Sequence, residues 1–418
     1  MQLKTILNRV QKHPLFVYGE VKLVERDGAL NLDVEVRPRS NGKATCSGCG
    51  VRRSGYDTLP ARRFQFVPLW GILVFFVYSM RRVNCPRCGV IVEAVPWASG
   101  KQQLTTTYAW FLARWAKKLS WSEVATSFCT SWDSVFRAVQ TAVHWGLEHR
   151  DLSGVGAIGV DEVLWKRGYG FLTVVYQIDK GARRLLWVGK DRKAKTLLKF
   201  FRDFGDERSA QLRFICSDMW KPYLQVIARK AAGATHVLDR FHIVANMNKA
   251  INEVRSKEVK SLKADGYEPI LKGMRYCLLK RPENLTERQE IKLAELLRYN
   301  LRSVRAYLLK EDFDAFWGYA SPAWAGKFLD RWCTRAMRSR LEPMKKVART
   351  LRGHRELLLN WFTARDAISA GATEGNNNKL KVITRRAYGF KAIDTVTIAL
   401  YHAMGDLPEP EATHRFCG

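Results

Sequence analysis

Two short runs, Cys46-Ser47-Gly48-Cys49-Gly50 and Cys85-Pro86-Arg87-Cys88-Gly89, share the form Cys-x-x-Cys-Gly. Two intervening residues let both thiolates of a pair point at one ion. The glycine permits a tight turn whose backbone N–H groups can bond the sulfurs. Two pairs supply four thiolates, the set of a closed, structural Zn²⁺ site, one per chain, with no position left for catalysis. A redox dithiol would not need a second copy. Nine cysteines is an odd number, which fits a reducing compartment and a metal rather than a disulfide framework.

A second group of candidates is acidic. Asp161 ends the apolar run Val155–Val160, and Asp218 closes the run Leu212–Cys216 after Ser217. Two carboxylates at the ends of neighbouring strands can share divalent metal ions. Hard oxygen ligands favour Mg²⁺ or Mn²⁺ over zinc, and two such ions would activate water or a 3′-OH and stabilise the leaving oxygen. A third acid must come from a later helix. Glu374 is the best candidate, because Asn378, Lys381 and Arg385 follow it at i+4, i+7 and i+11. That spacing makes one helical face of a metal ligand and phosphate-binding groups. An Asp at a strand end also serves as a cap or turn residue, and Glu162, Asp179, Asp239 and Asp366 are rival acids.

These groups need a frame. Between the cysteine pairs, Arg62–Phe66 and Ile72–Tyr78 alternate as strands, so a hairpin joins the two knuckles in a zinc-ribbon arrangement. Arg52, Arg53, Arg62, Arg63, Arg81 and Arg82 surround it as candidate phosphate contacts. From Thr105 to Arg150 the pattern turns helical. A short helix from Ser120, a turn at Cys129-Thr130-Ser131 with Ser131 as N-cap, and a longer helix from Trp132 have the helix-turn-helix layout. Trp132, Asp133, Ser134 and Arg137 are then candidates for base contacts in the major groove, although an ordinary helical hairpin has the same pattern.

Residues 155–239 contain three β-rich runs, a helical run, a fourth strand ending at Asp218, a helix, and a short strand 236–239. The order βββαβαβ is that of an RNase H-like fold, a mixed α/β sheet flanked by helices. Between Asp218 and Glu374 lie 155 residues, so 250–354 must be an all-helical insertion. Phe313, Phe316, Trp317, Trp324, Phe328 and Trp332 recur in it at near-helical steps and suit its core, with a Trp stacked on a displaced base as the alternative. Gly405–Gly418 suits a frayed tail. The expected organisation is a zinc-ribbon DNA-binding domain (1–100), a helix-turn-helix domain (101–150), an RNase H-like catalytic domain (151–249), the helical insertion (250–354), and the end of the catalytic domain with the Glu helix (355–418).

Charge points to nucleic acid as the leading partner, with an anionic membrane second. Lys+Arg number 70 and Asp+Glu 40, a net charge of +30. It is spread as +11 over residues 1–150, +8 over 151–250, +9 over 251–350 and +2 over 351–418. Such an excess repels itself unless a polyanion neutralises it, and its spread implies several phosphate-facing surfaces. A hydrophobic content of 47% excludes a disordered chain. No apolar run of 18 residues exists, and the N-terminus lacks a signal-peptide pattern. The expectation is a cytoplasmic, nucleoid-associated bacterial protein without membrane contact.

Gly159-Val160-Asp161-Glu162, Ser217-Asp218-Met219, Asp239-Arg240-Phe241-His242-Ile243-Val244, and Thr373–Lys381 continuing to Arg385–Phe390 resemble the ISL-three family of bacterial insertion-sequence transposases. The resemblance covers nearly the whole chain. It implies a DDE triad of Asp161, Asp218 and Glu374, double-stranded DNA as partner, cleavage at terminal inverted repeats and strand transfer into target DNA. Asp239-Arg240-Phe241-His242 is similar to the Asp-x-x-His seen near the active site in several DDE families, so Asp239 and His242 are supporting candidates. A homodimer or higher oligomer on DNA is expected. A zinc and helix-turn-helix regulator with a dead catalytic domain is the alternative, and so is an RNase H-like nuclease that cuts without joining.

Overall fold

A computed structural model describes residues 3–26, 28–166, 170–266, 271–368, 375, 379–380, 382–383, 385, 390 and 392–411. The chain divides into two compact units, residues 1–151 with 383–418, and residues 152–382.

In the first unit, helix α1 (Leu3–Val10) precedes long strands β1 (Phe16–Arg26) and β2 (Ala29–Pro38). The short pair β3 (Ala44–Thr45) and β4 (Arg52–Arg53) brackets the first cysteine pair. The antiparallel hairpin β5 (Gly55–Leu69) and β6 (Ile72–Cys85) follows, and β7 (Gly89–Val92) folds back on β6. The order is β1-β2-β6-β5, with β2 and β6 parallel. Both expected hairpin strands lie within β5 and β6, while β1 and β2 were not expected from the sequence. An isolated two-stranded hairpin is marginal in water, and the extra strands supply its core. Val74, Phe76, Tyr78 and Met80 are buried at the period of two that turns one strand face inward. Trp97 packs edge-on against Phe16 and Tyr78, with centroids 4.8 and 5.4 Å away.

Three helices come next, α2 (Thr106–Trp115), α3 (Trp121–Ser127) and α4 (Trp132–His149). Ser120 and Glu123 form a reciprocal capping box at the start of α3. Ser131 caps α4, its Oγ accepting from Ser134 N at 3.1 Å, as the sequence predicts. The C-terminal helix Ile393–Met404 packs on α4. This helix, expected within the 355–418 end of the catalytic domain, clusters with residues 1–151. The expected fraying from Gly405 is also corrected. Leu407 packs so closely on Gly146 that a Cβ there would lie 2.6 Å from its own Cβ. Glu409 pairs with Arg114 at 2.7 Å and Lys117 at 2.9 Å. Residues 412–418 of the expected tail lie outside the described residues.

The second unit opens with β8 (Ala157–Lys166), β9 (Gly170–Gln177) and β10 (Arg184–Lys190), an antiparallel meander. Then come α5 (Ala194–Phe204), α6 (Asp206–Ala210), β11 (Phe214–Ser217), α7 (Lys221–Lys230) and β12 (Thr235–Leu238). The sheet order is β10-β9-β8-β11-β12, with β8, β11 and β12 parallel. Parallel neighbours require crossovers, which α5–α6 and α7 provide. Leu197, Phe200, Phe201 and Phe204, at i, i+3, i+4 and i+7 of α5, share a core with Ile158 and Val160. Since side chains alternate along a strand, Asp161 faces away from that core.

Helices α8 (Arg240–Ala264), α9 (Arg275–Leu279), α10 (Glu287–Leu296), α11 (Arg302–Asp314), α12 (Pro322–Arg338), α13 (Glu342–Gly353) and α14 (Arg355–Ala364) form the helical body. Phe313, Phe316, Trp317, Phe328 and Trp332 lie in its core. Trp324 does not: it is 57% exposed, with Lys327 Nζ 4.6 Å from the ring centroid. The buried Glu258 carboxylate accepts from the backbone N–H groups of Arg302 and Ser303, at the electropositive start of α11. Among the described residues no helix is long and apolar enough to cross a membrane.

Candidate functional site

The four thiolates come together at one end of the first sheet. Cys46 and Cys49 lie between β3 and β4, while Cys85 and Cys88 bracket the turn from β6 to β7. Their Sγ atoms all lie within 4.8 Å of one another, and Cys49 Sγ is 3.6 Å from Cys85 Sγ. A tetrahedron with metal–sulfur bonds of about 2.3 Å has edges of about 3.8 Å, so the donor set fits a metal ion such as zinc. Gly50 and Gly89 have φ of 72° and 73°, the left-handed region that only glycine enters freely, which explains the glycine after each pair. Backbone N–H groups of Arg87 and Cys88 bond the Cys85 sulfur and hold its pKa below the usual thiol value.

Four of the six arginines expected as phosphate contacts, Arg62, Arg63, Arg81 and Arg82, have partners within the protein. Arg81 binds the fully buried carboxylate of Glu93 at 2.7 Å, and Tyr78 Oη donates to the same group at 2.6 Å. Arg63 pairs with Asp33 at 2.6 Å, Arg82 pairs with Asp57, and Arg62 donates to Gln102 O at 2.7 Å. On the helical segment, Arg137 is exposed. Trp132 is 42% exposed and stacks on Phe136, with centroids 5.5 Å apart. Ser134 is occupied by the Ser131 cap, its Oγ 2.9 Å from Ser131 Oγ.

In the second unit β8 and β11 are parallel, with Cys216 opposite Gly159. Two residues further along, that register sets Asp218 beside Asp161. The carboxyl ends of strands in open α/β sheets border the crevice where ligands bind. Both acids are buried, at 3% and 9% exposure. His242, in the first turn of α8, places Nε2 3.3 Å from Asp161 Oδ1 and 3.9 Å from Asp239 Oδ2. Its hydrogen bond to Asp161 outweighs burial and pushes its pKa up to about 9. Asp239 serves also as the N-cap of α8, accepting from Phe241 N at 2.8 Å. Burial raises its pKa above the usual carboxylate value.

Glu162 and Arg192 extend the cluster. Arg192 Nε lies 2.7 Å from Glu162 Oε1, and its Nη2 lies 2.8 Å from Asp218 Oδ2. The other Asp218 oxygen accepts from Trp220 N at 2.9 Å. Burial pushes the Glu162 pKa up to about 7, Asp218 adding to the rise and Arg192 opposing it. Glu162 was expected only as a rival acid, and Arg192 was not among the expected site residues. No local signal separates Arg192 from its charged neighbours in Lys190-Asp191-Arg192-Lys193. Four acids and two cations thus converge.

The other rivals sit elsewhere. Asp179 accepts from Gly156 N at 3.2 Å and Gln177 Nε2 at 3.0 Å, which is a turn-holding role. Asp366 has a side chain 93% exposed. Glu374, Asn378 and Lys381 lie outside the described residues, and Arg385 is exposed.

A family model described as a transposase, of the DDE ISL3 type, matches residues 158–400. The chain is 31% identical, over 93% of its length and 92% of the relative's, to the transposase for insertion sequence element IS1557 of Mycobacterium tuberculosis, in two strains. It is 28% identical, over 90% of its length and 92% of the relative's, to the transposase for insertion sequence element IS1001 of Bordetella parapertussis. The family match spans more than half of the chain and includes the strands and helices that carry the acid cluster, so the chain belongs to the ISL3 family of insertion-sequence transposases.

Proposed function

We propose that this transposase is a DDE enzyme that binds the terminal inverted repeats of its element, cleaves the DNA there and joins it to target DNA. The observation that carries this reading is the register of the parallel strands β8 and β11, Cys216 opposite Gly159, which brings Asp218, just past β11, to the level of Asp161. Glu374 is proposed as the third acid. The strand order β10-β9-β8-β11-β12, three antiparallel and then two parallel strands, supports an RNase H-like catalytic fold with residues 250–354 as its helical insertion. Domain roles follow the sequence: the thiolate module (1–100) and a helix-turn-helix (101–150) bind end DNA.

The acids offer hard oxygen donors, and Asp218 already pairs with a protein cation, so the residues present fit Mg²⁺ or Mn²⁺. Two divalent ions would activate the attacking water or 3′-OH and stabilise the leaving oxygen. Asp161 and Asp218 would hold them with Glu374. His242 fixes the Asp161 carboxylate through its 3.3 Å contact, and the backbone N–H of Trp220 orients Asp218. Phosphate contacts would come from Asn378, Lys381 and Arg385, and base contacts from Trp132, Ser134 and above all Arg137. One structural zinc on Cys46, Cys49, Cys85 and Cys88, a bacterial cytoplasmic location at the nucleoid, and an oligomer assembled on DNA complete the proposal.

The test is incubation of the full chain with end-containing duplex, Mg²⁺ and a target plasmid. Nicks at the element end followed by joined product are expected. Cutting without joining would favour a nuclease. Binding with neither reaction, under conditions where Mn²⁺ also fails, would favour a DNA-binding regulator.

A further inference from the structure

The contacts of Arg192 are of a different kind from those of the basic residues that surround the acids. Its guanidinium bridges two carboxylates, Nε to Glu162 at 2.7 Å and Nη2 to Asp218 at 2.8 Å, and lies over the Trp220 ring, 4.6 Å from its centroid. Trp220 in turn donates its backbone N–H to Asp218. Both oxygens of Asp218 are thereby engaged, one by the backbone and one by Arg192. Among the described residues no other side-chain cation pairs with Asp218 or Glu162.

The backbone that aims Arg192 is unusual. Asp191, immediately before it, has φ of 72°, a left-handed conformation in a non-glycine residue. Such strain persists when the surroundings over-determine it. Here Asp191 N donates to Phe171 O at 2.9 Å, Thr173 Oγ1 donates to Asp191 O at 2.7 Å, and Lys193 Nζ holds Asp191 Oδ2 at 3.0 Å. The acids lie deeper than the base: their side chains are 7% (Glu162) and 11% (Asp218) exposed, against 33% for Arg192. Of these three side chains Arg192 is therefore the most exposed.

We infer that Arg192 is the resident counter-cation of the acid cluster, which a divalent ion must displace from Asp218, and which then faces the DNA phosphate. The inference rests on the reading that Asp161 and Asp218 hold metal. Without any cation Glu162 and Asp218 would repel each other across the site. With both cations on one Asp218 oxygen, the cations would repel, so one leaves. Two cations that exclude each other are linked reciprocally: whatever Arg192 contributes to the metal-free pair is subtracted from metal affinity.

The experiment is a titration of the zinc-loaded, full-length protein with Mn²⁺ alone, read by calorimetry and by the spin resonance of free Mn²⁺. Four proteins are compared: wild type, Arg192→Met, Arg192→Lys and Asp218→Asn. Methionine keeps an apolar stem against Trp220 while removing the charge. Arg192→Met is expected to bind Mn²⁺ about tenfold more tightly than wild type. Arg192→Lys, which loses the two-pronged contact, falls between them and is the comparison that remains if the methionine variant fails to fold. Asp218→Asn loses the site. A second readout is affinity for random duplex in Ca²⁺ against EDTA. Wild type gains from Ca²⁺ through the released guanidinium, and Arg192→Met gains less. Variants of Arg192 that bind Mn²⁺ no more tightly than wild type, with binding still lost in Asp218→Asn, overturn the counter-cation and leave the metal reading intact. Equal Mn²⁺ binding by wild type and Asp218→Asn removes the metal reading and this inference together.

Discussion

His242 Nε2 lies 3.3 Å from Asp161 Oδ1, so the first turn of α8 is tied to the middle strand of the sheet by one imidazole. The folded-state pKa of about 9 stands above the ordinary value of 6.5. A raised pKa contributes stability that is fully present below pH 6.5 and is lost as pH rises through about 9. The shift alone would correspond to roughly 3 kcal/mol, but the side chain is 36% exposed and solvent screens it. His242→Gln should therefore destabilise the metal-free protein by about 1–2 kcal/mol at pH 6, and by clearly less at pH 10. Urea unfolding at both pH values checks this. A difference that does not change with pH would mean that His242 acts by packing alone.

Asp161 and Asp218 are buried and adjacent, so they should fail together. Asp161→Asn and Asp218→Asn are each expected to abolish end cleavage to the same extent, because groups acting as a unit are not additive. Asp366→Asn, at an exposed position, should leave cleavage near normal. Asp179→Asn should act on stability instead, since Asp179 holds Gly156 N and Gln177. Cleavage rate and unfolding midpoint measured on the same four variants separate the two kinds of effect.

Cys46 and Cys85 are buried together with Ala44 and Val83. Elemental analysis should find about one zinc per chain, and Cys46→Ser with Cys85→Ser should release it. Release should lower the thermal midpoint of the first unit and weaken binding to end DNA. Zinc that survives the double substitution would place the metal elsewhere.

Arg81 and Glu93 form a buried pair, the Glu93 side chain being 0% exposed. Arg81→Met leaves that carboxylate without its cation and should cost about 3–5 kcal/mol. Arg81→Met with Glu93→Gln should recover part of the loss, because the double change removes the stranded charge. Equilibrium unfolding of the single and double variants gives the coupling.

Trp332 and Trp324 lie eight residues apart on α12 and differ in burial, 0% against 57% exposed. Trp332 Nε1 also donates to Leu309 O at 2.8 Å. Trp332→Ala should cost about 3–5 kcal/mol, and Trp324→Ala less than about 0.5 kcal/mol. Comparable losses would contradict the packing described for α12.

Local chemistry was legible in the sequence by itself. The Cys-x-x-Cys-Gly repeats, the Ser131 cap and the order βββαβαβ depend on neighbours in the chain, through turn geometry, capping and side-chain period. Asp218, just past the end of β11, was legible for the same reason, because a strand's boundary is a local event, whereas Asp161, expected at a strand end, lies inside β8. Tertiary structure alone decided which charges meet. Arg81 finds Glu93 and Arg192 finds Asp218 across separations of 12 and 26 residues, through strand pairing and a strained turn that no spacing rule encodes. It likewise decided that β1 and β2 complete the first sheet, and that Glu409 docks on Arg114, 295 residues earlier. An arginine looks the same in sequence whether it faces phosphate or a buried carboxylate. The difference lies in what the fold brings within about 3 Å, where an ion pair in a partly desolvated site outweighs a distant one in water.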